Sequence, residues 1–484
     1  MSFVRLDDDK AEEALLKTVD PRIGEYVYGS TCFSCKQRYR LAGYCDPAYR
    51  RVLAQLRQEV ENDLIEDVQL CAYVRGVKVI DIMVRKHNMS AAYTRGSVQK
   101  VNSSGKNIES IVIARLVEQK LLAYDTKVAS VWPEYGCNGK EATTVAHVMR
   151  HEAGLPNLVL EPAAITTAAI KAGVASAQIA ELTPLHPPGE KRYYHVVSRG
   201  LLVNEIVRRV DPKGRTLAEI VAEDLAAPLG LSDELFVGVP ERMHDDVAVM
   251  SGSKGAGYMC CVACCCRGEV ELGGDHSTVG GCQVGTWQKT CFDRSLLCCL
   301  SPCLVPFCGL ASDKQIDGDY GPDLWNAEMT SANVHSSARA MAKLGASLIG
   351  EVDGVRLLSP AGLAEGLDSA VIMNMDVAPG GKLPPIGVTA GAFSQMGLYH
   401  YAQNDSDKTS FLPGERSGMH GWVGFGGSAF SIHAERQVSF GFAVSFHNMF
   451  MVQNPLSRRL VNAVLACQES VEQRGREPAA MERM

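Results

Sequence analysis

Residues Val101-Asn-Ser-Ser-Gly-Lys106, running into Asn107-IESIVIARLVEQKLLAYD, put a serine three residues ahead of a lysine at the mouth of an apolar segment. Residues i and i+3 share a helix face, so the Lys106 amine can reach the Ser103 oxygen. A helix N-terminus adds unpaired N–H groups and positive potential, which suit an oxygen that gains negative charge. After Lys106, the residues Ile108, Ile111, Val112, Leu116, Val117 and Leu121 recur at the spacing of a half-buried helix. Ser-x-x-Lys also occurs at Ser97/Lys100 and Ser251/Lys254. Ser97 precedes the helix, and Ser251 lies in the loop-like Ser-Gly-Ser-Lys-Gly-Ala-Gly. Context favours Ser103, although spacing alone also fits a polar helix start with a solvated lysine.

Outward from this helix the patterns fall into a symmetrical arrangement. Asp46-PAYRRVLAQLRQEVEND reads as an amphipathic helix, and Val68-QLCAYVRGVKVIDIMV84 as a β-hairpin around Arg75-Gly76. A mostly helical stretch runs to about residue 245 and includes Arg199-GLLVNEIVRRV and Leu217-AEIVAEDLAAPLGL. Helical pattern returns at Ser336-SARAMAKLGASLIG350. Gly427-SAFSIHA, a turn near Glu435-Arg436 and Gln437-VSFGFAVSF446 form a second hairpin, followed by the helix Pro455-LSRRLVNAVLACQESVEQ. Strands from both chain ends pairing into one antiparallel sheet, with helical material between them, predict an α/β core with an inserted, mainly helical lobe. The expected boundaries are an N-terminal extension over 1–40 and a core from 41–125 and 400–465. A lobe over 126–399 and a polar tail over 466–484 complete the division. A cleft between core and lobe is the default site.

Composition narrows the function classes. The chain has 484 residues, 46% hydrophobic and 21% charged, with a net charge of −7. That balance carries no basic footprint for nucleic acid. The opening Met1-SFVRLDDDKAEEALLK lacks a signal-peptide apolar region, and no run of eighteen apolar residues suggests a membrane span. A cytoplasmic location follows as the expectation. No Gly-x-Ser-x-Gly elbow and no Walker-type phosphate loop is present. No cofactor is implied.

Five segments, taken in order, resemble the serine β-lactamase and penicillin-binding-protein-like family. The nearest branch is the class C-like one, with its related esterases and carboxypeptidases. Ser103-Ser-Gly-Lys106 matches Ser-x-x-Lys, and Thr143-TVAHVMRHEAGLP156 resembles the segment ending His-x-x-Gly-Leu-Pro. Tyr194-His195-Val196 resembles the Tyr-x-Asn/Ser motif. Trp325-NAEMTSANVHSSARAMAKL and Gly424-Phe-Gly-Gly-Ser428 resemble two further family segments. The resemblance spans about residues 45–465 without a cysteine-rich insert. It implies a β-lactamase-like fold: an antiparallel sheet flanked by helices, with an inserted helical lobe. It also implies an acyl-enzyme on Ser103, with Lys106 helping to take its proton and Tyr194 acting as general base and acid. Two backbone N–H groups would hold the oxyanion, that of Ser103 and that of Phe425 after the third box. His151 matches a family position with a structural role. Asn333 and His335 match a family segment without an assigned chemistry, and Glu134 and Glu152 have no partner evident from sequence.

The third box departs from the family's Lys-Thr-Gly or His-x-Gly. The glycines put Trp422-Val423-Gly424 in the box; His420 would take the place if the strand carried a bulge. Trp422 reads equally well as a packing aromatic, and His420 as a peripheral histidine. Without a lysine there, and without the second motif's Asn, recognition of a substrate carboxylate weakens. An aromatic suits a neutral or apolar acyl group. The expected substrates are therefore small esters or amides and not antibiotics. A catalytically idle scaffold or filament-forming protein and a D-amino-acid peptidase are the alternatives.

Eleven of the 17 cysteines lie between Cys260 and Cys308, within an insert over 250–320. Four readings stay open for it. It is a tolerated variable loop, a palmitoylated peripheral membrane anchor, a metal site around Cys261-x-x-Cys264, or a set of regulatory disulfides. The separate Cys32-x-x-Cys35 lacks a second pair at finger-like spacing, so metal binding is not expected there.

Overall fold

The hairpin read from Val68–Val84 forms as strands β3 (Val68–Val74) and β4 (Val77–Lys86), turning at Arg75 and Gly76, both with positive φ. The second expected hairpin forms as β12 (Ala429–His433) and β13 (Val438–Val444). In this computed structural model, β13 pairs antiparallel with β3 across the gap between the two chain ends. The structure describes residues 24–29, 38–61, 67–86, 93–156, 158, 160, 162–248, 327–378, 381–394, 418–424, 426–445 and 455–476. The sheet has seven strands in the order β1-β2-β4-β3-β13-β12-β11, with β1 at Gly24–Gly29, β2 at Arg38–Cys45 and β11 at Met419–Val423.

Helices cover both faces. On one face α1 (Arg50–Glu61) and the C-terminal helix Pro455–Arg476 share a core with Leu70, Ile80, Val438, Phe440, Phe442 and Leu460. Arg459 of the C-terminal helix makes two hydrogen bonds to Glu59 of α1, each 2.5 Å, which clamps the two chain ends together. On the other face α2 (Lys106–Glu118) lies in the larger core, which also takes Cys71, Tyr73, Phe430, Ile432 and Ala443 from the sheet.

Four features differ from the sequence expectation. Residues 466–476, expected to belong to a polar tail, continue the C-terminal helix Pro455–Arg476. Residues 24–29, read as part of an extension, form the edge strand β1, paired with β2 from Gly24↔Gly43 to Gly29↔Arg38. The helix Ala338–Ile349, assigned to the lobe, packs on the sheet instead. A Cβ on Gly441 of β13 would overlap the Ala338 carbonyl, so the bare glycine sets how closely helix and strand approach. The stretch between α2 and residue 394 also contributes strands. Val371–Ala378 and Gly381–Val388 form an antiparallel pair that adds Arg192–Tyr193 in parallel. The cysteine-rich insert, the Ser251/Lys254 pair and Cys32/Cys35 lie outside the described residues. Among the described residues, no helix is long and apolar enough to cross a membrane.

Candidate active site

Ser103 does not sit in an α-helix. It lies in a 3-10 turn, Asn102–Gly105, that leads directly into α2 at Lys106. Asn102 takes φ +47°, a left-handed conformation that asparagine tolerates better than most residues. The turn brings Ser103 and Lys106 onto one side, with Lys106 Nζ 3.4 Å from Ser103 Oγ. Lys106 Nζ also donates to the carbonyls of Val196 at 2.7 Å and Ser331 at 2.8 Å. Tyr194, directly after the Arg192–Tyr193 strand, donates its hydroxyl to Ser103 Oγ at 2.7 Å. The Lys106 amine lies 4.9 Å from the centre of the Tyr194 ring. The structure thus brings Tyr194 from one segment to Ser103 and Lys106 of another. Ser97, by contrast, accepts from Thr94 N–H at 2.8 Å and caps a local turn.

The helix carrying Lys106 was expected to be half-buried. It is buried on nearly every side, and its polar residues have partners. Asn107 donates to the carbonyls of Ser104 and Phe430 at 3.0 and 3.2 Å. Glu109, three residues beyond Lys106, pairs with Arg199 at 2.6 Å with both side chains fully buried. Glu109 also accepts from Thr330 and Ser331 hydroxyls at 2.9 and 2.7 Å. Arg199, in the helix Ser198–Val210, donates further to the carbonyls of Lys106 and Met149 at 2.9 and 3.1 Å. This network ties together the elements that carry Lys106, Met149, Arg199 and Ser331. Sequence reading missed it, although Glu109 stands one turn from Lys106, where a helix places neighbours on one face. Glu152 and Glu134 also have partners: Arg192 at 2.6 Å and Arg209 at 2.9 Å.

Burial sets the protonation of the cluster. Desolvation holds Lys106 well below the usual lysine range; Glu109 opposes the shift and Arg199 adds to it. Burial also pushes Tyr194 up to about 12, against the hydrogen bond to Ser103. The resting tyrosine is therefore a neutral phenol, and the lysine is biased toward the free amine.

Strand β11 supplies the third-box segment. Its pairing with β12 runs from Met419↔His433 to Val423↔Ala429 without a register shift, so the bulge that would bring His420 into the box is absent. His420 Nδ1 lies 3.0 Å from the Gly418 carbonyl. Trp422 is the residue beside the cluster. Its ring centre is 5.9 Å from that of Tyr194, and its indole N–H donates to the Ala392 carbonyl at 2.8 Å. Gly424 closes the strand where a Cβ would overlap Ser428 Oγ and the Val101 carbonyl. Ser428 donates to that carbonyl at 2.7 Å and lies 3.0 Å from Ser104 Oγ, locking the segment to the nucleophile turn. Phe425 lies outside the described residues.

A sheet closed by strands from both chain ends, helices on both faces, and a buried serine–lysine–tyrosine cluster beside its edge strand define a β-lactamase-type α/β protein. The chain belongs to the beta-lactamase family, whose model matches residues 54–462. It is similar to the esterase/beta-lactamase LipL of Mycobacterium tuberculosis (strain ATCC 25618 / H37Rv), 26% identical over 377 residues, which are 74% of this chain and 78% of the relative. A penicillin-binding protein homolog from Caulobacter crescentus superposes with a TM-score of 0.63 at 24% identity, covering 88% of this chain and 99% of that one. A family VIII carboxylesterase also gives 0.63, at 20% identity over 88% and 99% of the two chains.

Proposed function

We propose that this β-lactamase-family hydrolase cleaves small esters or amides through an acyl-enzyme on Ser103. The observation that carries the reading is the position of Ser103 Oγ, 2.7 Å from Tyr194 Oη and 3.4 Å from Lys106 Nζ. As a free amine, Lys106 has two N–H bonds for the carbonyls of Val196 and Ser331 and a lone pair for the Ser103 hydroxyl. Tyr194 in turn donates to Ser103. When Oγ bonds to the substrate carbonyl carbon, its proton passes to Lys106 and the carbonyl electron pair moves onto oxygen. The Ser103 N–H and the N–H of Phe425 are the expected donors to that oxyanion. The Tyr194 hydroxyl protonates the leaving oxygen or nitrogen as its bond to carbon breaks, then regains a proton from the Lys106 ammonium. Water attacks the acyl-enzyme with its proton going to Lys106, and Ser103 departs with the Tyr194 proton.

The substrate class follows from the third box. Trp422 presents an aromatic surface, its N–H already committed to Ala392, where a carboxylate-binding member would present a cation. The relatives described as esterases support the same side of the choice. A fluorophosphonate should label the wild type and leave Ser103→Ala unlabelled. Short-chain p-nitrophenyl esters should turn over while nitrocefin does not. Nitrocefin turnover without ester turnover would reverse the substrate assignment. A wild type that resists labelling would favour an idle scaffold.

A further inference from the structure

We infer that His151 is the positioning residue of the Tyr194 hydroxyl, a role that rests on the acyl-enzyme reading above. His151 follows the short helix Val145–Met149 and takes φ +65°, a conformation uncommon outside glycine and asparagine. The left-handed turn directs both its carbonyl and its ring to the segment that bears Tyr194. The carbonyl accepts from Tyr193 N–H at 3.1 Å, and Nδ1 accepts from His195 N–H at 3.0 Å. These two bonds bracket Tyr194 from the residues on either side of it. The ring lies across the Tyr194 ring at 5.0 Å and edge-on to Trp422 at 5.3 Å, both between centres. Tyr194 N–H donates to the Asp376 carbonyl at 2.7 Å, which fixes the remaining backbone donor.

The neighbouring histidine completes the grip. His195 Nε2 accepts from Leu155 N–H at 3.0 Å, so its proton sits on Nδ1, 2.6 Å from the Tyr193 carbonyl. His151 Nε2 also lies 3.2 Å from an Arg199 nitrogen, yet a neutral imidazole accepts at one nitrogen only. Arg199 already donates to Glu109, Met149 and Lys106. Among the described residues, His195 N–H meets only His151. The His195 N–H is fixed by its peptide plane and points at Nδ1, so Nδ1 is taken as the accepting nitrogen. Burial and the adjacent Arg199 charge keep the ring neutral, as an acceptor must be. Among the described residues no hydrogen bond joins His151 to Ser103 or Lys106, so its effect on the reaction passes through Tyr194.

Three substitutions separate this role from simple packing. His151→Gly keeps the left-handed backbone and removes the acceptor. His151→Asn places an amide oxygen where Nδ1 stands and adopts positive φ readily. His151→Gln carries its oxygen one bond further, toward Arg199. With a p-nitrophenyl ester, and with folding checked by thermal melting, His151→Gly should lose about 10²-fold in kcat with little change in KM. His151→Asn should recover to within about tenfold of wild type, and His151→Gln should stay with the glycine variant. Full kcat in His151→Gly, no recovery in His151→Asn, or equal recovery in His151→Gln would overturn the assignment. If the wild type neither turns over ester nor takes a fluorophosphonate, the acyl-enzyme reading itself fails. If it does both and the variants miss this order, only the His151 role fails.

Discussion

A lysine buried without a facing carboxylate of its own is the residue-scale feature that sets the expected pH behaviour. Glu109 is near Lys106, but its oxygens are taken up by Arg199, Thr330 and Ser331. Desolvation therefore dominates and lowers the Lys106 pKa. The base form of Lys106 gains population as pH rises through that lowered value. kcat/KM should accordingly rise with pH on an acidic limb with the slope of a single ionisation, then stay level until Tyr194 loses its proton near 12. A pH–rate profile on a p-nitrophenyl ester reads this directly. A falling profile between neutral and mildly alkaline pH would assign the base elsewhere. Lys106→Arg should remove activity at every pH, because a guanidinium stays charged.

At the scale of elements, α2 is held by charge as much as by apolar contact. The Glu109–Arg199 pair joins α2 to the helix Ser198–Val210, and both side chains are fully buried. Arg199→Ala would leave a buried carboxylate without its cation, a change that costs about 3–5 kcal/mol. Denaturant unfolding should show the midpoint falling, and a loss under about 1 kcal/mol would mean that water reaches Glu109. The sequence announced α2 through its apolar spacing alone. It did not announce that Asn107 and Glu109 are buried too, because the partners that make this possible include residues 199, 330, 331 and 430, far away in the chain.

For the whole molecule, the C-terminal helix closes the sheet face opposite α2. Leu460 is fully buried there among residues from both chain ends. Leu460→Ala should destabilise the fold by about 2–5 kcal/mol, measured by thermal or urea unfolding, while the active-site elements on the other face keep their contacts. Retained kcat in the folded variant, with a lowered melting temperature, is the expected pair of results. A large loss of kcat at temperatures where the variant is folded would show that the two faces are coupled through β3 and β13.

The two hairpins, the serine–lysine spacing and the order of the motifs are legible from the chain alone, because each depends on local periodicity or on residues a few positions apart. β1 escaped because six residues at a sheet edge leave no strong alternation. The helix Ala338–Ile349 was legible as a helix, but not as a layer on the sheet, since Gly441 decides its approach from 92 or more residues away. The site divided in the same way. Ser103 and Lys106 were readable as neighbours on one turn. The 2.7 Å contact from Tyr194, the choice of Trp422 over His420 beside it, and the His151 bracket depended on the tertiary structure. Strand register and long-range burial fix those relations, and neither is a property of any one segment.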